Sequence, residues 1–88
     1  MTMHKKHLKI YLMNKETYLI IAFDSTSHAL DLEEKAAHKM QGRIIPLPRE
    51  IDAGCGLCFA SLDLDVKKWK QFLQKENIQY ALMKEVTF

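Results

Sequence analysis

At 88 residues the chain has room for one hydrophobic core and no second domain, so any site must lie on the surface or loops of that core. An apolar fraction of 48% with 27% charged residues is that of a globular chain and argues against both disorder and a coiled coil. Thirteen basic residues against eleven acidic ones leave a formal charge of +2, too small and dispersed to specify a polyanionic partner.

No apolar run approaches the roughly 18 residues of a membrane span, and Met1-Thr2-Met3-His4 begins no apolar signal region. The expectation is a cytoplasmic protein with no nucleic-acid and no membrane partner. Two cysteines three positions apart are too few for a secreted disulfide framework, and in a reducing compartment they rest as thiols.

Residues 1–16 read as a basic extension. His4, Lys5, Lys6, His7 and Lys9 form a solvated cluster, while Leu8, Ile10 and Leu12 alternate with Lys9 and Tyr11 as an extra strand would. The single domain then covers 17–88. Tyr18-Leu19-Ile20-Ile21-Ala22-Phe23 is apolar throughout and rich in β-branched and aromatic residues, which predicts a central strand. Asp24-Ser25-Thr26-Ser27 supplies N-caps for a helix over 26–40. Ala29, Leu32, Ala36 and Met40 recur along it at helical spacing until Gly42 closes it.

Arg43-Ile44-Ile45-Pro46-Leu47 is a short strand, placed at a sheet edge by a proline that cannot donate to a ladder. A polar connection and the glycine-flanked Cys55 lead into Leu57-Cys58-Phe59-Ala60-Ser61, a buried strand. Asp63 or Asp65 caps a second helix, whose Val66, Trp69, Phe72 and Leu73 make one apolar stripe. Residues 80–86 complete the order β-α-β-β-α-β. Right-handed crossovers and local hairpin pairing make this an α+β, ferredoxin-like four-stranded antiparallel sheet with two helices on one face.

That topology brings the end of the first strand, the start of the first helix and the loop carrying Cys55 to one edge of the sheet. Ser25, Thr26 and His28 at the helix N-terminus then become neighbours of Cys55. The unpaired amides and positive dipole end there favour an anion. Arg43 and Arg49 are candidate cations that favour a thiolate. Gly54 and Gly56 are expected to leave the sulfur accessible and, by taking positive φ, to form a small anion-binding nest.

Cys58 lies inside an apolar run and reads as a core residue, with a resolving-thiol role as its alternative. A disulfide needs Cα atoms within about 7 Å, whereas an extended i to i+3 segment spans about 10 Å, so a turn at Gly56-Leu57 would be required. No second cysteine pair or convergent histidines complete a metal site, and neither a metal nor a cofactor is expected. His38 reads as a surface residue late in the helix. Asp31, Glu33 and Glu34 read as a solvated helix face, and Trp69 with Phe72 as core.

The segments Tyr18-Leu19-Ile20, Phe23-Asp24-Ser25-Thr26, Gly42-Arg43, Pro46-Leu47-Pro48-Arg49-Glu50-Ile51 and Ala53-Gly54-Cys55-Gly56-Leu57, in that order, carry a resemblance. Over residues 17–86 the chain resembles a small bacterial family of selenium/sulfur (Se/S) carrier-protein-like domains. The resemblance matches Cys55 to the family cysteine and Arg49 to the arginine of its proline-arginine turn. It implies a carrier that holds a persulfide or perselenide on Cys55 and exchanges it with a cysteine desulfurase or another transfer protein. Cys58 and the basic extension depart from the family pattern.

Two other readings stay open beside the carrier. One is a thiol–disulfide oxidoreductase cycling Cys55 and Cys58. The other is an interaction module with incidental thiols, in which an open sheet edge suits a homodimer.

Overall fold

The computed structural model describes residues 15–52 and 54–88. The basic cluster and the expected alternating strand at Leu8, Ile10 and Leu12 lie outside the described residues, as does Ala53. Six elements follow one another: β1 (Thr17–Ala22), α1 (Thr26–Ala36), β2 (Arg43–Pro46), β3 (Leu57–Ser61), α2 (Val66–Lys75) and β4 (Leu82–Thr87). The four strands form one sheet in the order β2-β3-β1-β4, and every neighbouring pair is antiparallel. This is the ferredoxin-like arrangement expected from the order of elements, with Pro46 on an edge strand as its missing N–H requires.

β1 occupies an inner position because it is apolar on both faces. Leu19, Ile21 and Phe23 join Phe59 of β3 beneath both helices, where Ala29, Leu32 and Ala36 of α1 and Trp69 and Leu73 of α2 complete one cluster. Trp69 is fully buried, and its Nε1–H donates to the Asp63 carbonyl at 3.1 Å, so the ring is buried with its polar atom satisfied. Its ring meets Phe59 edge-on at a centroid distance of 5.4 Å.

Both helices lie on one face as expected, and the middle of the helix-free face carries a second buried cluster. Ile20, Ala22, Cys58, Ala60 and Val86 point there and cluster with Ile51, and Leu47 packs against them. Leu47 and Ile51 come from the connection between β2 and β3, so that loop contributes apolar side chains to this second cluster.

Helix α1 is shorter than its apolar spacing implies. It stops at Ala36, the cap Ala37 leaves the helical region, and His38 takes φ 67°, the left-handed conformation that terminates helices. Gly42 therefore does not close the helix. It has a different duty, since at φ 150° a Cβ there would lie 2.6 Å from Phe59 Cζ and 2.8 Å from the Ala60 carbonyl oxygen. Asn77 ends α2 in the same left-handed way, at φ 58°. Of the two caps expected for α2, Asp65 is the one used, its Oδ1 accepting from Lys68 N at 3.1 Å.

Candidate functional site

Three backbone hydrogen bonds bring the loops at one end of the sheet together. Cys55 N–H donates to the Phe23 carbonyl at 3.1 Å, tying the β2–β3 connection to the end of β1. Leu47 N–H donates to the Gly56 carbonyl at 3.0 Å and closes the base of that connection. Ala81 N–H donates to the Ala22 carbonyl at 2.7 Å, bringing the start of β4 alongside. The tertiary contact to Phe23 thus sets Cys55 against the N-terminus of α1.

The sulfur of Cys55 has two polar neighbours there. Thr26 Oγ1 lies 3.3 Å from Sγ and the Leu57 backbone N–H donates to Sγ at 3.4 Å. A thiol can give or take the contact with Thr26, whereas a thiolate can only accept, so ionisation makes Thr26 a donor as the Leu57 N–H already is. Thr26 is the first residue of α1, and no acidic side chain occupies that first turn. The helix therefore presents its positive end to the sulfur without an internal counter-charge in the turn.

Contrary to the expectation of an accessible thiol, Cys55 is only 6% exposed. The cause is the bond to Phe23, which draws the loop onto the body of the domain, so the flanking glycines do not leave the residue standing in solvent. Gly54 and Gly56 themselves are exposed. A Cβ added at Gly54 would make ordinary contacts with Asp24 at 3.6–3.7 Å, and one added at Gly56 would meet, among the described residues and beyond its chain neighbours, nothing within 4 Å. Gly56 does not take positive φ, so it does not supply the nest expected of it. The polar neighbours of the sulfur are the Thr26 hydroxyl and the N–H of Leu57 instead.

Cys58 is fully buried on the helix-free face, paired in register with Ala22 and Ile45, and its Sγ approaches the Pro46 carbonyl at 3.9 Å. Burial first, and then the charge of nearby Cys55, push its thiol up from 9.0 to about 11. At neutral pH Cys58 is thus a protonated, inert core thiol. Both cysteines are free.

The remaining expected residues divide. Ser25 is the N-cap of α1, its Oγ accepting from His28 N at 3.3 Å and contacting Ser27 Oγ at 3.1 Å, so it shapes the helix start rather than touching the sulfur. His28 is half-buried and lines a surface depression with Ser27, Leu30, Asp31 and Glu34. Arg43 and Arg49 are exposed. Among the described residues, no hydrogen bond or ion pair joins His28, Arg43 or Arg49 to Cys55. Two partners of Cys55 were not named from the sequence, the Leu57 N–H and the Phe23 carbonyl. Both are backbone groups, and only the register at the end of β1 could have revealed them.

Among the described residues no three His, Cys, Asp or Glu side chains converge as a metal site would require. Nor is any described helix long and apolar enough to cross a membrane. No curated protein and no solved structure is found to match the chain. A family model described as "Putative Se/S carrier protein-like" matches residues 18–84, a span that takes in all but the first residue of β1, both helices, the Cys55 loop and the first part of β4. The chain therefore belongs to the Se/S carrier protein-like family.

Proposed function

We propose that this protein holds sulfur or selenium as a persulfide or perselenide on Cys55 and passes it between partner proteins. The observation that carries the reading is the setting of the Cys55 sulfur, between the Thr26 hydroxyl and the Leu57 N–H at the start of α1. Hydrogen-bond donors so placed can hold an anionic sulfur once it is formed, and the anion is the form that attacks and the form a bound persulfide takes.

Loading needs no net oxidation. The Cys55 thiolate attacks the terminal sulfur of a donor persulfide, a new S–S bond forms, the donor's S–S bond breaks, and the donor thiolate leaves with the electron pair. A cysteine desulfurase or another sulfur- or selenium-transfer protein is the partner this chemistry calls for. Arg49, exposed in the same connection, would steer a charged donor toward the site. The protein acts as a carrier rather than an enzyme, and the cytoplasm, where thiols stay reduced, suits its two free cysteines.

A thiol–disulfide oxidoreductase is the weaker reading, because its resolving thiol would be Cys58. That side chain is fully buried and its thiol is pushed up to about 11, which withholds the thiolate that resolution needs. The test is to incubate the protein with a cysteine desulfurase and either cysteine or selenocysteine, so that the donor carries a persulfide or perselenide, and record the intact mass. A gain of one sulfur or one selenium atom is expected. Failure to gain either from several donors would count against the carrier role.

A further inference from the structure

Among the described strands β4 stands last in the order β2-β3-β1-β4, pairing with β1 on one side and turning its other edge outward. The end of that strand is apolar on the helix-free face. Phe88 stacks on Tyr18 at a centroid distance of 5.0 Å and lies beyond the buried Val86, yet it stays 45% exposed. A further strand with one apolar side would pair the edge and cover the ring together.

The chain carries such a segment, tethered at that place. Glu16 exchanges two backbone hydrogen bonds with Phe88, at 3.1 and 3.0 Å, so the residues before β1 join the sheet directly beside the end of β4. In them Leu8, Ile10 and Leu12 alternate with Lys9 and Tyr11, the pattern of a strand apolar on one side. Both sides of β1 are taken by β3 and β4, so a strand preceding β1 can pair only at an outer edge of the sheet. The outer edge of β4 lies two strand spacings from β1, about 10 Å, and the chain from Leu12 to Glu16 reaches about 14 Å when extended. The outer edge of β2 lies three spacings away, about 14 Å, which leaves no length for passing around β3 and β2.

We propose that residues 8–12 form an additional strand along the outer edge of β4, parallel to it, with Leu12 beside Phe88. The direction follows from the short connection, since a strand that feeds β1 must arrive at the end of the sheet where β4 also arrives. Leu12 beside Phe88 sets Ile10 beside Val86 on the helix-free face and Lys9 beside Glu85 on the other, an opposite-charge pair. A second copy of the chain fits the edge less well. Antiparallel pairing of β4 with itself about a two-fold axis, at its longest overlaps, centres on Lys84 or Glu85 and sets like charges directly opposite each other.

Amide hydrogen exchange followed by NMR reads the edge residue by residue. The N–H groups of alternate residues in a ladder face the same neighbour, so the Glu16–Phe88 pair turns those of Lys84 and Val86 toward β1 and those of Glu85 and Thr87 outward. In the parallel register given, Glu85 and Thr87 donate to the carbonyls of Leu8 and Ile10, and Ile10 N–H donates to the Glu85 carbonyl. Ile10→Pro removes that donor, and Ile10→Asp keeps it while charging the apolar side. Exchange at Glu85 and Thr87 is expected to be at least about tenfold faster in both variants than in wild type, with Lys84 and Val86 unchanged. Equal exchange at Glu85 and Thr87 in all three proteins, fast or slow, overturns the inference. Protection that fades as wild type is diluted overturns it too, because the occupant of the edge is then a second copy.

Discussion

Replacing Gly42 by alanine should cripple the fold, whereas the same change at Gly56 should hardly alter it. At Gly42 the new methyl group would fall 2.6 Å from Phe59 Cζ and 2.8 Å from the Ala60 carbonyl oxygen, and closer still to Phe59 Cε2. Phe59 is 1% exposed and its ring is held edge-on against Trp69, so it has no free direction in which to retreat. Overpacking of this kind costs about 1–3 kcal/mol, and holding alanine at φ 150° costs about 1–3 kcal/mol more. The sum, about 4 kcal/mol, is a large part of the 5–15 kcal/mol or so that stabilises a typical domain.

Urea denaturation followed by tryptophan fluorescence measures this directly, since the single tryptophan, Trp69, sits in the affected cluster. With a urea m-value of about 1.5 kcal/mol/M, the midpoint of Gly42→Ala should fall by about 2–3 M. Gly56→Ala should stay within about 0.5 kcal/mol of wild type, because its methyl group meets no described residue beyond its chain neighbours within 4 Å. Equal midpoints for the two variants would refute the demand for a glycine at position 42.

Thr26→Val removes one donor from the Cys55 sulfur. A hydrogen bond of about 1 kcal/mol to an anionic sulfur corresponds to about a fivefold fall in the loading equilibrium with polysulfide, and Thr26→Ser should restore it. Cys58→Ala should leave loading intact and cost about 1–2 kcal/mol in urea through the buried volume it vacates. Because the folded state holds the Cys58 proton more tightly than the unfolded chain, wild-type stability should decline as pH rises from 9.0 to about 11. A pH series of melts should show that part of the decline missing in Cys58→Ala. The Lys68 ammonium, 2.7 Å from Asp63 and hydrogen-bonded to it, holds the Asp63 carboxyl below its ordinary 3.8. The stability this adds is present above that pH and lost as pH falls through the folded value, so wild type and Asp63→Asn should converge in acid.

The elements that could be read from the sequence are those whose pattern is local. The apolar runs of β1 and β3 and the Val66, Trp69, Phe72 and Leu73 stripe of α2 each state their own burial, and their order fixed the topology. Where reading failed, a tertiary contact had overruled the local pattern. Met40 keeps helical spacing after Ala36, yet the chain turns at His38 and spends Gly42 on clearance for Phe59. Leu47 and Ile51 carry no periodicity that would place them over the helix-free face, and only the folded loop brings them there.

The same limit applies at the site. Sequence placed Cys55 and Thr26 at one edge of the sheet, which topology alone can do, and the two do meet. It took the glycines as a sign of exposure, which the bond from Cys55 to Phe23 reverses. Ser25 turned out to serve the helix cap, and the side chains of His28 and Arg49 had no spacing from which a contact could be derived.

The central claim is that Cys55, and not Cys58, bears the transferred atom. Peptide-resolved mass spectrometry of wild type, Cys55→Ser and Cys58→Ser after loading with polysulfide and trapping by an alkylating agent tests it most directly. The account predicts one added sulfur on Cys55 in wild type and in Cys58→Ser, and none in Cys55→Ser. Added sulfur on Cys58, or undiminished loading of Cys55→Ser, would contradict it.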